Sequence, residues 1–548
     1  MYVRPLVETA DCEPEPFAGT LLSDATDTRG NADAGSARAA SSPDPTSVRP
    51  PADRTWSRLR LLSLDARIAT LLIVGYLVLV AVNAAPLGHL NTGDTNLLVQ
   101  GARQTVECLS RGTLVGCGHA PGSVETKVGP YALLQYLPAV AMVKFGLTNN
   151  QVVEALGRIS FAAFVGSLVI VVAIGRRLQP GFWTPILVLA LIGSSLTYQS
   201  TSGFGEMLAA FSVLLAVAAV LWRRPLLIAT TMVFATTGKE TLFPFILALG
   251  LLAGRRRSDG VVPPWRVWLP MVLGIAVGEF LNLGFNVFRF GVDKNLTYLQ
   301  PILRTPGLER KAGLLAALWF APSGGLLWFW PLTTVLVIAV AIATMARLAR
   351  APSPLVDWLP PLLAIATLVA FTAVLTDWFS PFGWIAYGPR LIVPLLPAST
   401  VVILYTGGPL LASPVRFLLS HTWAIFLTGV VVAAVGWAQF GTPWSWLPAI
   451  GRLETASPGC PIMTKLIIQN GVNRYYHCTG QVEWRIRPSV LVAAATEGGA
   501  YAVAARLTLA IASILLIADF ARRTRGRRWR LHTQNDILGE SIPSVRES

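Results

Sequence analysis

A few ionisable residues interrupt a strongly apolar chain, and they give the first lead to chemistry. Asp94 stands in NTGDTNLL, Glu206 in TSGFGEMLAAF, Lys239 in TTGKETLF and Arg390 in YGPRLIVPLLP. Each lies where a polar stretch meets an apolar block, and a charge near membrane depth is costly enough to call for a functional reason. A carboxylate so placed can take the proton of a hydroxyl nucleophile. Arginine and lysine can bind and neutralise a departing phosphate. Asp94 and Glu206 are the leading candidate carboxylates, and Lys239 and Arg390 the leading candidate cations. Glu125 and Lys127 in SVETKVGP, Glu240 beside Lys239, and Arg289 in FNVFRFG are secondary candidates. Each has a simpler alternative. Asp94 can N-cap a helix running from Asn96, Glu206 can pair with a nearby arginine, and Lys239 and Glu240 can neutralise one another at a turn. Arg390 can be a snorkelling anchor and Arg289 an interfacial one.

The elements that must position these groups are membrane helices. Apolar residues are 53% of the 548 and charged residues only 13%, whereas a soluble chain of this length divides into domains with charged surfaces. The apolar residues come in blocks of roughly 17 to 25, enough to cross a hydrocarbon core. Tryptophans at block ends, among them Trp328, Trp330, Trp378 and Trp384, resemble an interfacial aromatic belt. The net charge of +15 does not mark a nucleic-acid binder, because the basic residues sit in short clusters after apolar blocks: Arg176-Arg177, Arg223-Arg224, Arg255 to Arg257, Arg347 with Arg350, and Arg522-Arg523. That is the pattern of cytoplasmic span ends.

Keeping every basic cluster inside fixes a map. Residues 1–57 form a disordered cytoplasmic tail rich in Ala, Asp, Pro, Ser and Thr, with no cleavable signal sequence. The first span, 68–85, leads out to a loop over 86–155. The block at 131–147 contains Gln135, Pro138 and Lys144, and is expected to lie along the membrane face as an amphipathic segment. Crossings follow at 156–172, 183–198 and 207–221. A hairpin of two short blocks, 225–237 and 241–252, has Gly238-Lys239-Glu240 at its outer apex. Further crossings are 267–287, 329–345, 359–375, 391–405, 422–435 and 501–518, twelve in all, and residues 520–548 form a second cytoplasmic tail. The Gly and Pro residues of FAPSGGLLWFWP are expected to break a helix at the interface. All candidate residues then fall on the outer face. Cys108 with Cys117 in the first outer loop, and Cys460 with Cys478 in an outer segment at 438–500, make two pairs suited to disulfides, with Cys12 alone inside.

No Walker loop, dinucleotide fingerprint or hydrolase elbow occurs, which argues against a nucleotide-driven enzyme with a soluble catalytic domain. His119 and His477 are isolated, and no metal motif is present. Over about 68–400, the order and spacing of the motifs resemble the GT-C superfamily of polyprenyl-phosphate-sugar-dependent membrane glycosyltransferases, nearest to its protein O-mannosyltransferase and aminoarabinose transferase branch. PYALLQYLPAVAMVKFGL, ALGRISFAAFVGSLVIVVAIGRRL, SGFGEMLAAFSVLLA, TTGKETLFPFILAL, FNVFRFG, FAPSGGLLWFWP and YGPRLIVPLLPA carry the likeness. Asp94 matches the catalytic acidic position, but as a single acid where members often have a pair, and Lys127-Val-Gly-Pro130 replaces a Lys-Pro-Pro.

The resemblance implies an all-α polytopic fold with a catalytic module over 58–437 and juxtamembrane helices in the first outer loop. It implies inverting transfer of a sugar from a polyprenyl-phosphate donor to a glycan, lipid or protein hydroxyl, outside the cell membrane. The lipid tail would lie in a groove between spans and juxtamembrane helices. No cofactor is required; a divalent metal is compatible with such chemistry without support from a motif. The rival class is a multi-span transporter or lipid flippase, which places polar groups and broken helices near the midplane, often in repeated halves. No internal repeat is evident, and the charged candidates gather at outer ends.

Overall fold

The computed structural model of the chain describes residues 64–82, 93–117, 132–178, 183–194, 196–200, 203, 205–255, 263–291, 308–320, 325–350, 355–377 and 390–420. Among these residues the regular structure is helical and no strand occurs. In chain order the helices are α1 Leu64–Val82, α2 Gly93–Ser110, α3 Leu133–Lys144, α4 Asn149–Ile174, α5 Trp183–Ile192, α6 Leu196–Gln199, α7 Glu206–Trp222, α8 Pro225–Gly238 and α9 Phe243–Gly254. They continue with α10 Trp265–Phe290, α11 Leu308–Phe320, α12 Leu326–Phe329, α13 Pro331–Arg350, α14 Leu355–Leu375 and α15 Leu396–Ser420. The tails, the expected crossings at 422–435 and 501–518, and the segment at 438–500 with Cys460 and Cys478 lie outside the described residues.

Local sequence explains several boundaries. Thr148 and Gln151 form a capping box that starts α4: the Thr148 hydroxyl accepts from the Gln151 N–H, and the Gln151 amide oxygen accepts from the Thr148 N–H at 2.9 Å. Arg223 ends α7 in the left-handed region at φ 57°, and Pro225 opens α8 two residues later at its first position. The block expected as one crossing at 183–198 is broken. At the break the Ser194 hydroxyl donates to the Leu191 carbonyl at 2.7 Å and accepts from the Leu196 N–H at 3.2 Å. A serine side chain thus replaces helical bonds between α5 and α6.

Asn149–Ile174, Trp265–Arg289, Leu332–Ala349 and Asp357–Leu375 are long and apolar enough to cross a bilayer. Along α10 the exposed Leu269, Val272, Leu273, Val277, Phe280 and Leu283 form one stripe at helical spacing. Water would disfavour so long an apolar stripe, and acyl chains would not. Over the described residues the chain is an all-helical integral membrane protein. Trp265 and Trp268 are exposed at the start of this helix, with the Arg266 guanidinium over the Trp265 ring at 5.6 Å. Trp330 is fully buried, so it belongs to the core and not to the belt expected from sequence.

Two cores organise the bundle. The larger gathers side chains of α1, α4, α5, α7–α11, α13, α14 and α15, with Trp183 and Trp330 fully buried within it. A smaller one joins α2, α3 and the first turns of α4 through Leu98, Val99, Ala102, Tyr136, Ala139, Val152 and Leu156. The ends are chemically distinct. At one, Arg223 donates to the Gly254 carbonyl at 2.8 Å, and Tyr405 donates to the Arg255 carbonyl at 3.4 Å. This gathers the basic C-terminal ends of α7 and α9. The smaller core lies at the opposite end.

α8 and α10 pack closely through glycines. A Cβ placed on Gly274 would lie 2.4 Å from the Ala229 carbonyl oxygen, and one on Gly278 would lie 2.8 Å from the Thr236 Cβ. This is the small-residue spacing by which membrane helices approach one another. Gly274→Val therefore should destabilise the bundle by about 1–3 kcal/mol and lower its thermal midpoint in detergent. Gly284→Ala on the same helix, where a Cβ meets nothing within 4 Å, should leave the midpoint unchanged.

Candidate active site

The chemistry-bearing residues meet where short helices end. Glu206 is the first residue of α7, Lys239 follows the last residue of α8, and Arg390 opens a 3-10 turn, Arg390–Ile392, just before α15. Arg390 Nε lies 3.6 Å from Glu206 Oε1, and the two side chains are only 11% and 13% exposed. That degree of enclosure removes most of the solvent screening that weakens surface pairs. Lys239 is acted on by both groups. Burial pulls its ammonium below the ordinary lysine range, Glu206 pushes it back up, and Arg390 pulls it further down. The described side chains of the cluster therefore bring two cations to one carboxylate. The N-terminal dipole of α7 adds partial positive charge at the same place, so an anion is the natural guest.

Backbone placement brings α2 to this cluster. Thr95 is 1% exposed, and a Cβ placed on Gly203 would lie 2.6 Å from its Cγ2. Gly203 stands three residues before Glu206. Asp94 precedes Thr95 as the second residue of α2, so it lies within the first helical turn and not at the N-cap expected for a helix from Asn96. α3 approaches from another side: Gln135 is buried and donates to the Gly238 carbonyl at 3.4 Å.

The helices differ in reach. α8 has 14 residues and α9 has 12, about 21 and 18 Å at helical rise, short of a hydrocarbon core of about 30 Å. α4 and α10 have 26 each, about 39 Å. Leu156 is level with Gly203, so the first turns of α4 stand beyond the site. The last turns of α10 do the same: Phe285 packs on Tyr136 with ring centroids 5.4 Å apart, and the carbonyls of Val287 and Phe288 accept from the N–H groups of Gly116 and Cys117 at 3.2 and 2.8 Å. The charged cluster is thus recessed between longer helices and roofed by α2 and α3.

Of the sequence candidates, Glu206, Lys239 and Arg390 come together, and the expected pairing of Glu206 with an arginine is Arg390. Glu240 begins the turn Glu240–Leu242 beside Lys239. Arg289 is 3% exposed, bonded to Asn286 and stacked on Phe285 at 4.3 Å. It is an internal group of α10 and not the interfacial anchor expected. Glu125 and Lys127 lie outside the described residues. Cys108 and Cys117 form a disulfide, with Cα atoms 5.9 Å apart. Among the described residues no group of three or more His, Cys, Asp or Glu could hold a metal ion. Gln135 and Gly205 were not singled out as site residues from sequence. The only signal was a polar side chain in an apolar block and a glycine immediately before an acidic helix start.

No protein family and no curated protein matches the chain. Among solved structures the chain is similar to ArnT from Cupriavidus metallidurans bound to undecaprenyl phosphate, with 14% identity, 88% of this chain and 82% of that chain covered, and a TM-score of 0.41.

The coupling within the cluster can be read on Lys239. Followed by pH-dependent acylation and peptide mass spectrometry, Arg390→Met should raise the pH midpoint of Lys239 labelling, since it removes a like charge. Glu206→Gln removes the attracting charge and should lower it.

Proposed function

We propose that the chain is a membrane glycosyltransferase that moves a sugar from a polyprenyl-phosphate donor to a hydroxyl acceptor, with inversion at the anomeric carbon. The observation that carries the reading is the convergence of Glu206, Lys239 and Arg390 in one recess. Lys239 and Arg390 would hold the donor phosphate and stabilise the charge it gains as the glycosidic C–O bond breaks. Asp94 would take the proton of the acceptor hydroxyl as its oxygen attacks the anomeric carbon from the opposite face. Glu206 would keep Arg390 in place and orient the acceptor. The long apolar helices beside the recess supply a lipid-facing wall for the polyprenyl tail.

The site is proposed to face the extracytoplasmic side. The Cys108–Cys117 disulfide supports this, because it joins the end of α2 to the following loop at the site end of the bundle and calls for an oxidising compartment. The basic helix ends on the opposite side agree with the positive-inside rule. A transporter reading is less favoured, since the charged groups meet at helix ends and not at a midplane between repeated halves.

The decisive assay is transfer by the purified protein in proteoliposomes, with a panel of polyprenyl-phosphate sugars and hydroxyl acceptors. Asp94→Ala, Lys239→Met and Arg390→Met should each reduce turnover at least about a hundredfold with normal membrane insertion. Full turnover in Asp94→Ala would remove that residue from the mechanism, and full turnover in all three would end the reading. A second expectation concerns pH. Lys239 must be charged to hold phosphate, and its pKa is lowered, so turnover should fall on the alkaline side earlier than an ordinary lysine would dictate. Lys239→Arg, which does not titrate there, should abolish that alkaline decline while keeping part of the activity.

A further inference from the structure

We infer that Gln135 is a positioning residue that fixes the Glu206 and Lys239 ends of α7 and α8 relative to the α3 roof, through a contact that only glycine at position 205 allows.

Three observations meet at this side chain. Gln135 lies on α3, is 9% exposed, and donates from Nε2 to the carbonyl of Gly238, the residue before Lys239. Its other neighbour is Gly205, the N-cap of α7 and the residue before Glu206. A Cβ placed there would lie 2.0 Å from Gln135 Cδ, 2.1 Å from Cγ and 2.4 Å from Nε2. Gly205 has φ −74°, a value any residue adopts, so backbone conformation does not require glycine. The close approach of Gln135 is what requires it. Gly238 is close to its neighbours on its other side, though less tightly, where a Cβ would meet Ser212 Oγ at 3.1 Å and Leu134 Cδ2 at 3.5 Å. One amide therefore sits between the two residues that precede the acidic and basic members of the cluster.

Gln135 has no charge to give the reaction, and its donor group is used on the protein backbone. Its action is on distance. With the amide in place, α7 and α8 present Glu206 and Lys239 at a set separation, and the site stays closed from the α3 side. Loss of the side chain leaves the two helix ends free to relax and admits water to the Lys239 ammonium. Since Glu206 raises and Arg390 and burial lower the basicity of that ammonium, a looser site reads out as a change in its titration.

The inference rests on the proposed function only in its kinetic part, so the test has two independent arms. In the first, the pH midpoint of Lys239 acylation is measured in the intact protein in nanodiscs. Gln135→Ala should shift it upward, toward that of an ordinary lysine. Gln135→Met, which fills the same space without the donor, should shift it less. Gly205→Ala should disturb it by expelling the amide, and Gly205→Ala combined with Gln135→Ala, which removes the clash, should restore the stability lost in Gly205→Ala but not the wild-type midpoint. In the second arm, Gln135→Ala should lower kcat by about tenfold or more with donor KM changed less than about threefold, and Gln135→Met should fall between.

An unchanged Lys239 midpoint in Gln135→Ala, with only lower thermal stability, would overturn the positioning role and leave Gln135 as packing. A shifted midpoint in a protein that transfers no sugar would uphold the positioning and reject the proposed reaction.

Discussion

An ion pair one-tenth exposed at the end of an apolar bundle sets the terms for everything around it. Glu206 and Arg390 cannot be left in that environment singly, because an uncompensated charge at such a depth carries a desolvation penalty of several kcal/mol. They come from parts of the chain that only the tertiary fold brings together. The helices must therefore end at a common level, and the turns between them must be short and rigid. Lys239 adds a second cation to a pair that is already balanced. Glu206 attracts that ammonium and Arg390 repels it, so an entering anion would relieve the repulsion between the two cations.

Glycine is what lets the turns come close enough. At Gly203 and Gly205 the space for a side chain is already taken by Thr95 and Gln135, and at Gly238 Ser212 and Leu134 stand close by. These contacts tie α2, α3, α7 and α8 around the cluster. The same device recurs along α8 and α10, where Gly274 and Gly278 let backbone meet backbone. In lipid there is little hydrophobic gain from pairing two helices, so close van der Waals approach must supply the association. The region that needs definite geometry is thus held by the absence of side chains as much as by their presence.

Sequence made part of this legible. The apolar blocks located the helices, because an all-apolar stretch has one physical home, and the juxtaposition of Glu206, Lys239 and Arg390 followed from placing every basic cluster on one side. What it missed has local causes. Trp330 looks like a belt residue by its place at a block end, but the helix break before α13 turns it inward, where it is fully buried. The block at 183–198 reads as one span, since hydropathy does not register that Ser194 can satisfy the backbone of a broken helix. Arg289 reads as an anchor because position alone does not tell that Phe285 and Asn286, on the same helix, hold it inside. Gln135 passed as one polar residue of an amphipathic block; its meaning lies in Gly205 and Gly238, which no spacing rule connects to it.

The unequal helix lengths follow from the same need. If α8 and α9 crossed the full hydrocarbon thickness, Lys239 would sit at the water interface, where salt and solvent would screen it within about 8–10 Å. Ending α8 and α9 short of the ends of α4 and α10 keeps the ammonium among packed helices, and the overshoot of α4 and α10 provides the walls and the support for the roof. The roof is in turn fastened far from the charges, where Gly116 and Cys117 cap the last carbonyls of α10 and Cys117 is joined to Cys108 on α2. The Val287 carbonyl also accepts from the Gly291 N–H at 2.9 Å, so these bonds supplement the helix's own C-terminal cap, and they hold the end of α2 opposite Asp94. A charged cluster recessed between longer helices, and roofed by helices that their own termini anchor, is the consequence of hydrogen-bond satisfaction applied to helices of different length.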